Sequence, residues 1–308
     1  MVLKTSLSRS RTVVPHAGHL AGVLENLYRR YNHRKFIATD PLRFVYDYRR
    51  NRDREIAAFL CACLAYGRVA HIKNSLTQLL SRMGPRPFDF AVSFDRRKAR
   101  RLDTFRHRFT SGSDIADLLL ALKAAIRRHG SIEGLFSSCV RHGDPDVTAA
   151  LSRFRRRLLA GRPSGNGSPV SKGLAYLVCD PAGGSACKRL NLFLRWMVRR
   201  DEVDPGLWRS VDKAQLIVPV DTHMSRLCRI LRLSNRKTAS LAAAVEITKN
   251  FSGIEPADPV KYDFALSRIG IVENCTGRFR EGCEACDLAC YCLKSQWTRK
   301  TSKNTARL

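Results

Sequence analysis

Cysteines near the C-terminus have a spacing that suits a metal centre. Cys275, Cys283, Cys286 and Cys292 follow the pattern C-x7-C-x2-C-x5-C, and Cys290 is an alternative fourth ligand. Four soft thiolates this close in sequence can hold zinc or an iron–sulfur cluster. Zinc sites usually combine two tight pairs, whereas here one long gap precedes three crowded cysteines. The spacing therefore favours a [4Fe-4S] cluster, with zinc as the alternative.

A second candidate site begins where an apolar run gives way to a helix. Leu216–Val220 is apolar, and after Asp221 the apolar residues recur at helical spacing. Asp221 stands at the N-cap position, where its carboxylate can accept N–H bonds from the first turn. Taken alone, this pattern predicts a capping residue. A carboxylate can also stabilise positive charge that develops during a reaction.

The chain carries a large excess of basic residues. Lys and Arg number 55 and Asp and Glu 27, so the formal charge is +28. Such an excess predicts binding to polyanions, with an affinity that falls steeply as salt rises. An anionic membrane is the alternative partner, but the sequence has neither a membrane-spanning apolar run nor an isolated amphipathic helix. We therefore expect a nucleic acid partner and no membrane.

The remaining cysteines and the N-terminal segment bear on the compartment. The 11 cysteines are odd in number and several lie inside apolar runs, which predicts reduced thiols in an intracellular protein. Residues 1–19 are rich in Arg and Ser and contain no acid. Both a basic arm and an organelle transit peptide fit this segment. The expected location is the cytoplasm, with association with the nucleoid if the protein is bacterial.

Helical periodicity dominates the rest of the chain, and strand-like alternation is nearly absent. Expected N-caps are Asp53 for one long helix and Ser113 or Asp114 for another, and Asp258 opens a helix near the end. The helices are predicted over about 23–31, 55–66, 70–83, 114–127, 147–159, 186–200, 222–231, 238–249 and 259–269. The predicted fold class is all-α.

The densest basic segment runs from Asp95 to Phe109. Phe94 precedes it, and Phe105 and Phe109 lie among its arginines. Most charge runs are solvated surfaces. Cations interleaved with aromatic rings also suit contact with a nucleic acid strand, so this segment is a candidate phosphate-binding surface.

These motifs together resemble endonuclease III and its relatives, the helix-hairpin-helix DNA glycosylases that carry an iron–sulfur cluster. The similarity covers about residues 50–295 and rests on the cysteine spacing, on Val220–His223 (V-D-T-H) and on the glycine turn before Lys188. The first cysteine gap of that family is one residue shorter. Arg189–Arg199 and Lys261–Leu266 resemble an uncharacterised bacterial branch of the superfamily.

The resemblance implies catalytic roles for two residues. Asp221 matches the catalytic aspartate of the family. Lys188 is the nearest counterpart of the lysine that forms a Schiff base with the sugar in lyase-type members. In the family the hairpin reads G-x-G with this lysine two residues later, whereas Gly183 and Gly184 are adjacent and Lys188 lies four residues beyond Gly184. A phosphate-binding role for Lys188 is therefore an equal alternative.

The resemblance also suggests which residues contact DNA. The break at Ala65–Val69 resembles the turn that fills the gap left by an extruded base, and Arg68 is its expected exposed cation. Such a turn is needed because chemistry on a base requires the base to leave the duplex stack. The glycine turn can offer N–H groups to a phosphate. The further expected DNA contacts are Gly183, Gly184, Ser185, Arg189 and His223.

The implied fold has two lobes and a C-terminal [4Fe-4S] loop. Residues 50–200 form a helical barrel with the modified hairpin, and residues 21–49 and 201–296 form the cluster lobe. Residues 1–20 are a basic arm and residues 297–308 a basic tail. Asp221 is expected to face the cleft between the lobes of a monomer.

Three functions are compatible with these features. The first is a base-excision DNA glycosylase acting on double-stranded DNA, with or without AP-lyase activity. The second is a non-catalytic binder of DNA or RNA that retains the scaffold and cluster, which the altered hairpin favours. The third is a redox-sensing role for the cluster, because a fifth cysteine lies beside it.

Overall fold

A computed structural model describes residues 17–162, 169–273, 275–278 and 281–292. Most of the predicted basic arm (residues 1–20) and all of the predicted tail (residues 297–308) lie outside the described residues. The end of the predicted cluster lobe, residues 293–296, also lies outside them.

The described residues are mostly helical, which confirms the all-α class. The strands found there are two short ones, β1 (Arg106–His107) and β2 (Thr110–Ser111), which pair antiparallel as a hairpin. The helices are α1 (Ala17–Tyr31), α2 (Asn51–Cys63), α3 (Val69–Met83), α4 (Pro87–Val92), α5 (Arg96–Ala99), α6 (Gly112–His129), α7 (Ile132–Ser137), α8 (Thr148–Ala160), α9 (Lys172–Leu177), α10 (Lys188–Val198), α11 (Thr222–Ile230), α12 (Leu241–Ser252) and α13 (Asp263–Ile271).

The start of α6 differs from the sequence prediction. Its N-cap is Ser111 rather than Ser113 or Asp114. The Ser111 hydroxyl accepts the Asp114 N–H, and the Asp114 carboxylate accepts the Ser111 N–H, which makes a capping box. Asp114 is therefore the third residue of the helix, and its carboxylate accepts the N–H of the N-cap residue.

Two other predicted caps were wrong because the carboxylates have distant partners. Asp53 lies inside α2 and is buried, and it accepts the N–H of Phe88 in α4 at 2.9 Å. Asp258 binds the Arg199 side chain at 2.9 Å, and α13 begins five residues later at Asp263. Both carboxylates thus connect separate parts of the chain instead of capping the helices that were predicted to follow them.

Helix α2 lies at the centre of the packing. Its residues from Ile56 to Cys63 are buried on every side, as expected for a helix that is apolar around its full circumference. It contacts the 3-10 turn Pro41–Asp47, α4 and α10. Helix α6 in turn contacts α4, α7, α8 and α9. These helices and turns form the first group of packed elements.

A second group of packed elements is formed by α1, α11 and α13. Helix α13 contacts both α1 and α11. The buried apolar side chains of the two groups belong to one continuous core. The bounds of the two predicted lobes stay predictions. Among the described residues, no helix is both long and apolar enough to cross a lipid bilayer.

Helix α10 contacts α2 of the first group, and a buried arginine connects it to α13 of the second group. Arg195 binds Asp204 at 3.2 Å and also binds Asp263, the first residue of α13. Arg199 binds Asp201 and Asp258 at 2.9 Å each, and also binds Asp204. Each guanidinium has several carboxylate partners, which offsets the cost of removing these charges from water. We call these two arginines and four aspartates the arginine network.

Candidate active site in the inter-helical cavity

A cavity of about 640 Å³ opens between α3, α10, α11 and α13. This volume lies in the range of small-molecule pockets, which is about 300–1,000 Å³. Its wall includes both residues for which the sequence predicts catalytic roles, Lys188 and Asp221. The cavity also has an aromatic side, formed by Tyr66 and Tyr176.

Asp221 caps α11, as the sequence predicts. Its Oδ1 atom accepts the N–H of Met224 at 2.8 Å. The other oxygen, Oδ2, lies 3.5 Å from Nζ of Lys188, and the Asp221 side chain is 46% exposed. One carboxylate oxygen therefore fixes the helix start, while the other faces an amine and the cavity.

The surroundings of Asp221 keep its carboxylate ionised. Partial burial raises its pKa, but the Lys188 ammonium, the Met224 N–H and nearby His223 lower it, and the net pKa is below the ordinary value. A carboxylate beside a cation is stabilised in its charged form. Asp221 is thus a fixed negative charge at neutral pH.

Lys188 is the first residue of α10 and is half-buried at the cavity wall. The fold brings its amine next to Asp221, which lies 33 residues later in the sequence. The side chain is 31% exposed, so the ammonium remains in contact with solvent. The structure therefore places an amine and a carboxylate side by side at the cavity surface.

His223 packs against α13 rather than standing free in the cavity. A Cβ atom at Gly270 would lie 1.8 Å from its Nε2, so the ring needs a glycine there. Its Nδ1 lies 3.2 Å from an Arg226 nitrogen, and its Nε2 is buried with no hydrogen-bond partner among the residues that the structure describes. Burial lowers the pKa of His223, which favours the neutral ring.

The glycine turn lies between α9 and α10. Gly183, Gly184 and Ser185 are exposed, and Gly184 has a φ of +78°, a conformation that favours glycine. The N–H groups of Gly183 and Gly184 both donate to carbonyls within the turn. The Gly184 carbonyl accepts the N–H of Leu241 at 2.9 Å, which attaches the turn to the start of α12.

The two arginines predicted to contact DNA have different surroundings. Arg68 is exposed in the break between α2 and α3, as the sequence predicts. Arg189 is buried, donates to the Tyr176 carbonyl, and lies over the rings of Tyr66 and Tyr176 at 5.0 and 4.1 Å from their centroids. Its guanidinium therefore supports the aromatic side of the cavity.

Sequence reasoning did not bring together the three rings on the aromatic side of the cavity. Tyr66, Phe109 and Tyr176 pack together, with centroids 4.9 to 6.3 Å apart. Phe109 was expected to act with Phe94 and Phe105, but those two rings are fully buried in the core. Nothing in their spacing distinguishes the three phenylalanines, so exposure of Phe109 could not be found from the sequence.

The four predicted cysteine ligands line one small apolar cavity of about 40 Å³. Cys292 belongs to its wall, whereas Cys290 does not and is exposed. Leu227, Ile269 and Leu288 supply apolar wall. The described residues contain no group of three or more His, Cys, Asp or Glu side chains positioned to hold a metal ion. Four thiols in an apolar wall are nevertheless the donor set that an iron–sulfur cluster needs.

Comparison with known proteins places the chain in one family. A family described as "protein of unknown function (DUF2400)" matches residues 40–272. The chain belongs to this family. The match runs from the 3-10 turn before α2 through α13, so it includes Lys188 and Asp221 and ends before Cys275. No curated protein and no solved structure matches the chain.

Proposed function

We propose that this protein is a DNA glycosylase that uses Asp221 to release a base from DNA. The observation that carries the proposal is the contact between Asp221 and Lys188 at 3.5 Å on the wall of a 640 Å³ cavity. An ionised carboxylate and an amine at a pocket large enough for a nucleobase are the groups that this chemistry requires. The resemblance of Val220–His223 to the glycosylase motif supports the same assignment.

The role of Asp221 follows from its charge. When the bond between C1′ and the base breaks, the base leaves with the bonding electrons and the sugar becomes positively charged. A fixed carboxylate beside C1′ stabilises this charge more than it stabilises the neutral starting sugar, which lowers the barrier. Water then attacks C1′, and its proton passes to Asp221 or to solvent.

Lys188 adds a lyase step to this proposal. The Lys188 ammonium first gives a proton to solvent, while Asp221, 3.5 Å away, stays ionised. The resulting amine attacks C1′ in place of water, and opening of the sugar ring yields a Schiff base. The alternative role of Lys188 is to bind a DNA phosphate, and borohydride trapping distinguishes the two roles.

A [4Fe-4S] cluster held by Cys275, Cys283, Cys286 and Cys292 is part of the proposal, with zinc as the alternative. When bound, the cluster supplies a rigid link that orders the C-terminal loop. Protein purified without oxygen is expected to contain about four iron atoms per chain, the stoichiometry of the cluster. Cys292→Ser is expected to lose most of this iron and Cys290→Ser to retain it. Equal loss from both variants would overturn the choice of Cys292, and bound zinc would overturn the cluster.

A nucleic acid is the proposed partner because the chain carries a charge of +28, and the resemblance to DNA glycosylases makes double-stranded DNA the proposed form. The affinity for a duplex is expected to fall about a thousandfold or more between 50 and 200 mM salt, as for proteins that make six or more phosphate contacts. Action as a monomer in the cytoplasm is part of the same proposal.

The second candidate function is a non-catalytic nucleic acid binder on the same scaffold. It is favoured by the glycine turn, whose Gly183 and Gly184 N–H groups both donate inside the turn. A turn that binds its own N–H groups presents fewer of them to a phosphate beside the cavity.

The experiment that tests the proposal is base release from duplexes that each contain one modified base. Wild-type protein is incubated with the panel, with and without borohydride, and free bases are measured by mass spectrometry. Release of at least one base supports the glycosylase, and a trapped protein–DNA adduct adds the lyase step. Salt-sensitive binding without release from any duplex would support the binder instead.

A further inference from the structure

Exposed apolar side chains gather around the mouth of the cavity. Among the described residues, the large apolar side chains that are exposed include Val69, Phe109, Tyr176 and Ile271. Val69, Tyr176 and Ile271 line the cavity, and the Phe109 ring packs against Tyr176 with centroids 5.6 Å apart. Exposed apolar groups that cluster in this way mark a binding surface more often than scattered ones do.

Three aromatic rings dominate this region, and we call Tyr66, Phe109 and Tyr176 the aromatic rim. Phe109 is 62% exposed and Tyr176 41% exposed. The ring of Phe109 is nearly parallel to that of Tyr66, with an interplanar angle of 8°, whereas Tyr176 meets both rings edge-on. Phe109 and Tyr176 therefore both expose aromatic surface beside the cavity.

Hydrogen bonds to the β1–β2 hairpin fix the position of the aromatic rim. The Tyr66 hydroxyl lies 2.8 Å from both the His107 carbonyl and the Thr110 hydroxyl, which ties Tyr66 to the two strands of the hairpin. His107 is buried, and its ring contacts the Ser75 hydroxyl and the Tyr66 carbonyl. Phe109 thus projects from a hairpin turn that is anchored on both strands, so the surrounding structure holds its side chain in an exposed position.

Cations lie next to these rings. Arg108 adopts a φ of +52°, and its guanidinium lies 5.0 Å from the Phe109 ring centroid. The Arg108 side chain also packs on Gly67, where a Cβ atom would lie 3.0 Å from it. Arg106 on β1 is exposed as well. The partner of this surface must therefore offer both flat apolar faces and negative charge.

We propose that the aromatic rim stacks on an unpaired base of a DNA strand whose phosphates contact Arg106 and Arg108. Nucleic acids combine planar apolar bases with an anionic backbone, and base stacking on an aromatic side chain is tolerant of sequence. A base inside an intact duplex is already stacked, so the rim selects DNA in which a base is unpaired. This inference rests on the DNA partner of the proposed function and is independent of catalysis by Asp221.

The test compares binding to two duplexes, one fully paired and one with a single bulged thymidine. Wild type is expected to bind the bulged duplex at least tenfold more tightly. Phe109→Ala is expected to lose about tenfold of affinity for the bulged duplex and to bind the paired duplex unchanged, since one base–aromatic stack contributes about this much. Phe109→Trp retains the ring and is expected to keep the preference.

Val245→Ala is the matched control, because Val245 is an exposed apolar residue on α12 and belongs to neither the rim nor the cavity. It is expected to bind both duplexes as wild type does. Equal affinities of wild type for the two duplexes would overturn the proposal, and so would a Phe109→Ala variant that keeps the preference. Loss of the preference in Phe109→Trp would also overturn it, because that variant keeps an aromatic face.

Photocrosslinking locates the stacked base directly. Iodouracil placed at the bulge is irradiated in complex with Asp221→Asn, which lacks the proposed catalytic charge but keeps the rim. An adduct on Phe109 or Tyr176 supports the inference even if no base is ever released by wild type. Base release by wild type together with an adduct at another residue would contradict the stacking inference but support the proposed glycosylase.

Discussion

The two ends of α10 carry ion pairs of opposite character. At its first turn, Lys188 meets the single carboxylate of Asp221 at 3.5 Å, and both side chains remain partly exposed. At its last turn, Arg195 and Arg199 are almost fully buried and each binds two or more carboxylates. One helix therefore connects the candidate active site to a buried ionic anchor.

The difference shows what each kind of pair can do. A buried guanidinium needs all of its partners, because an unpaired charge in the interior is very costly. An exposed pair contributes little to stability, so its members are free to change partners. The arginine network thus fixes the position of α10, and the Lys188–Asp221 pair is left available for chemistry.

The largest expected effect on stability lies in the arginine network. Arg199→Met leaves the carboxylates of Asp201, Asp204 and Asp258 without their shared cation, and we expect a loss of about 3–5 kcal/mol of unfolding free energy. Urea unfolding followed by circular dichroism measures this loss. Lys188→Gln, at the other end of the helix, is the control and is expected to lose less than about 1 kcal/mol. Similar losses in the two variants would contradict the contrast between the helix ends.

Substitutions of Asp221 are expected to have a smaller effect on stability, and they distinguish its capping role from its charge. Asp221→Ala removes the N-cap of α11 and is expected to cost about 1 kcal/mol, whereas Asp221→Asn keeps a capping oxygen and is expected to cost a few tenths. Thermal melting of both variants measures the difference. If the asparagine variant melts as low as the alanine variant, the carboxylate charge stabilises the fold and is not reserved for chemistry.

The smallest expected effect is a shift in pH dependence. Lys188 lowers the pKa of Asp221, so Lys188→Gln is expected to raise this pKa, since the opposing effect of burial remains. Asp221 must be ionised to act, and the acid limb of the rate–pH profile is therefore expected to move to higher pH. In the folded protein, the stabilisation due to ionised Asp221 is present above its unfolded pKa and is lost as pH falls through its lower folded pKa. An acid limb at the wild-type position would show that Lys188 does not influence Asp221.

Local features of the sequence predicted much of the site. The N-cap role of Asp221 and the helix after it follow from short-range patterns, and both were confirmed. The other long helices were likewise predicted to within four residues at each end, whereas α1 begins six residues earlier than expected. Helices α4, α5, α7 and α9 were missed because they have at most six residues, which is too short for a periodic pattern.

Long-range contacts could not be predicted from the sequence. Asp53 and Asp258 have the spacing of caps, yet each bonds to a residue 35 or more positions away. The aromatic rim joins residues 66, 109 and 176, which share no periodic pattern. The Lys188–Asp221 contact was suggested by a family resemblance, because no property of either residue alone predicts the other as its neighbour.

The most direct test of the proposed chemistry is single-turnover base release by wild type and Asp221→Asn on the same modified duplex. The substitution keeps the cap of α11 but removes the charge, so it separates catalysis from folding. The rate is expected to fall at least about a hundredfold, the scale for losing one electrostatic contact with a transition state, while DNA binding stays within about twofold. Release at the wild-type rate by Asp221→Asn would contradict the assignment of Asp221 as the catalytic residue.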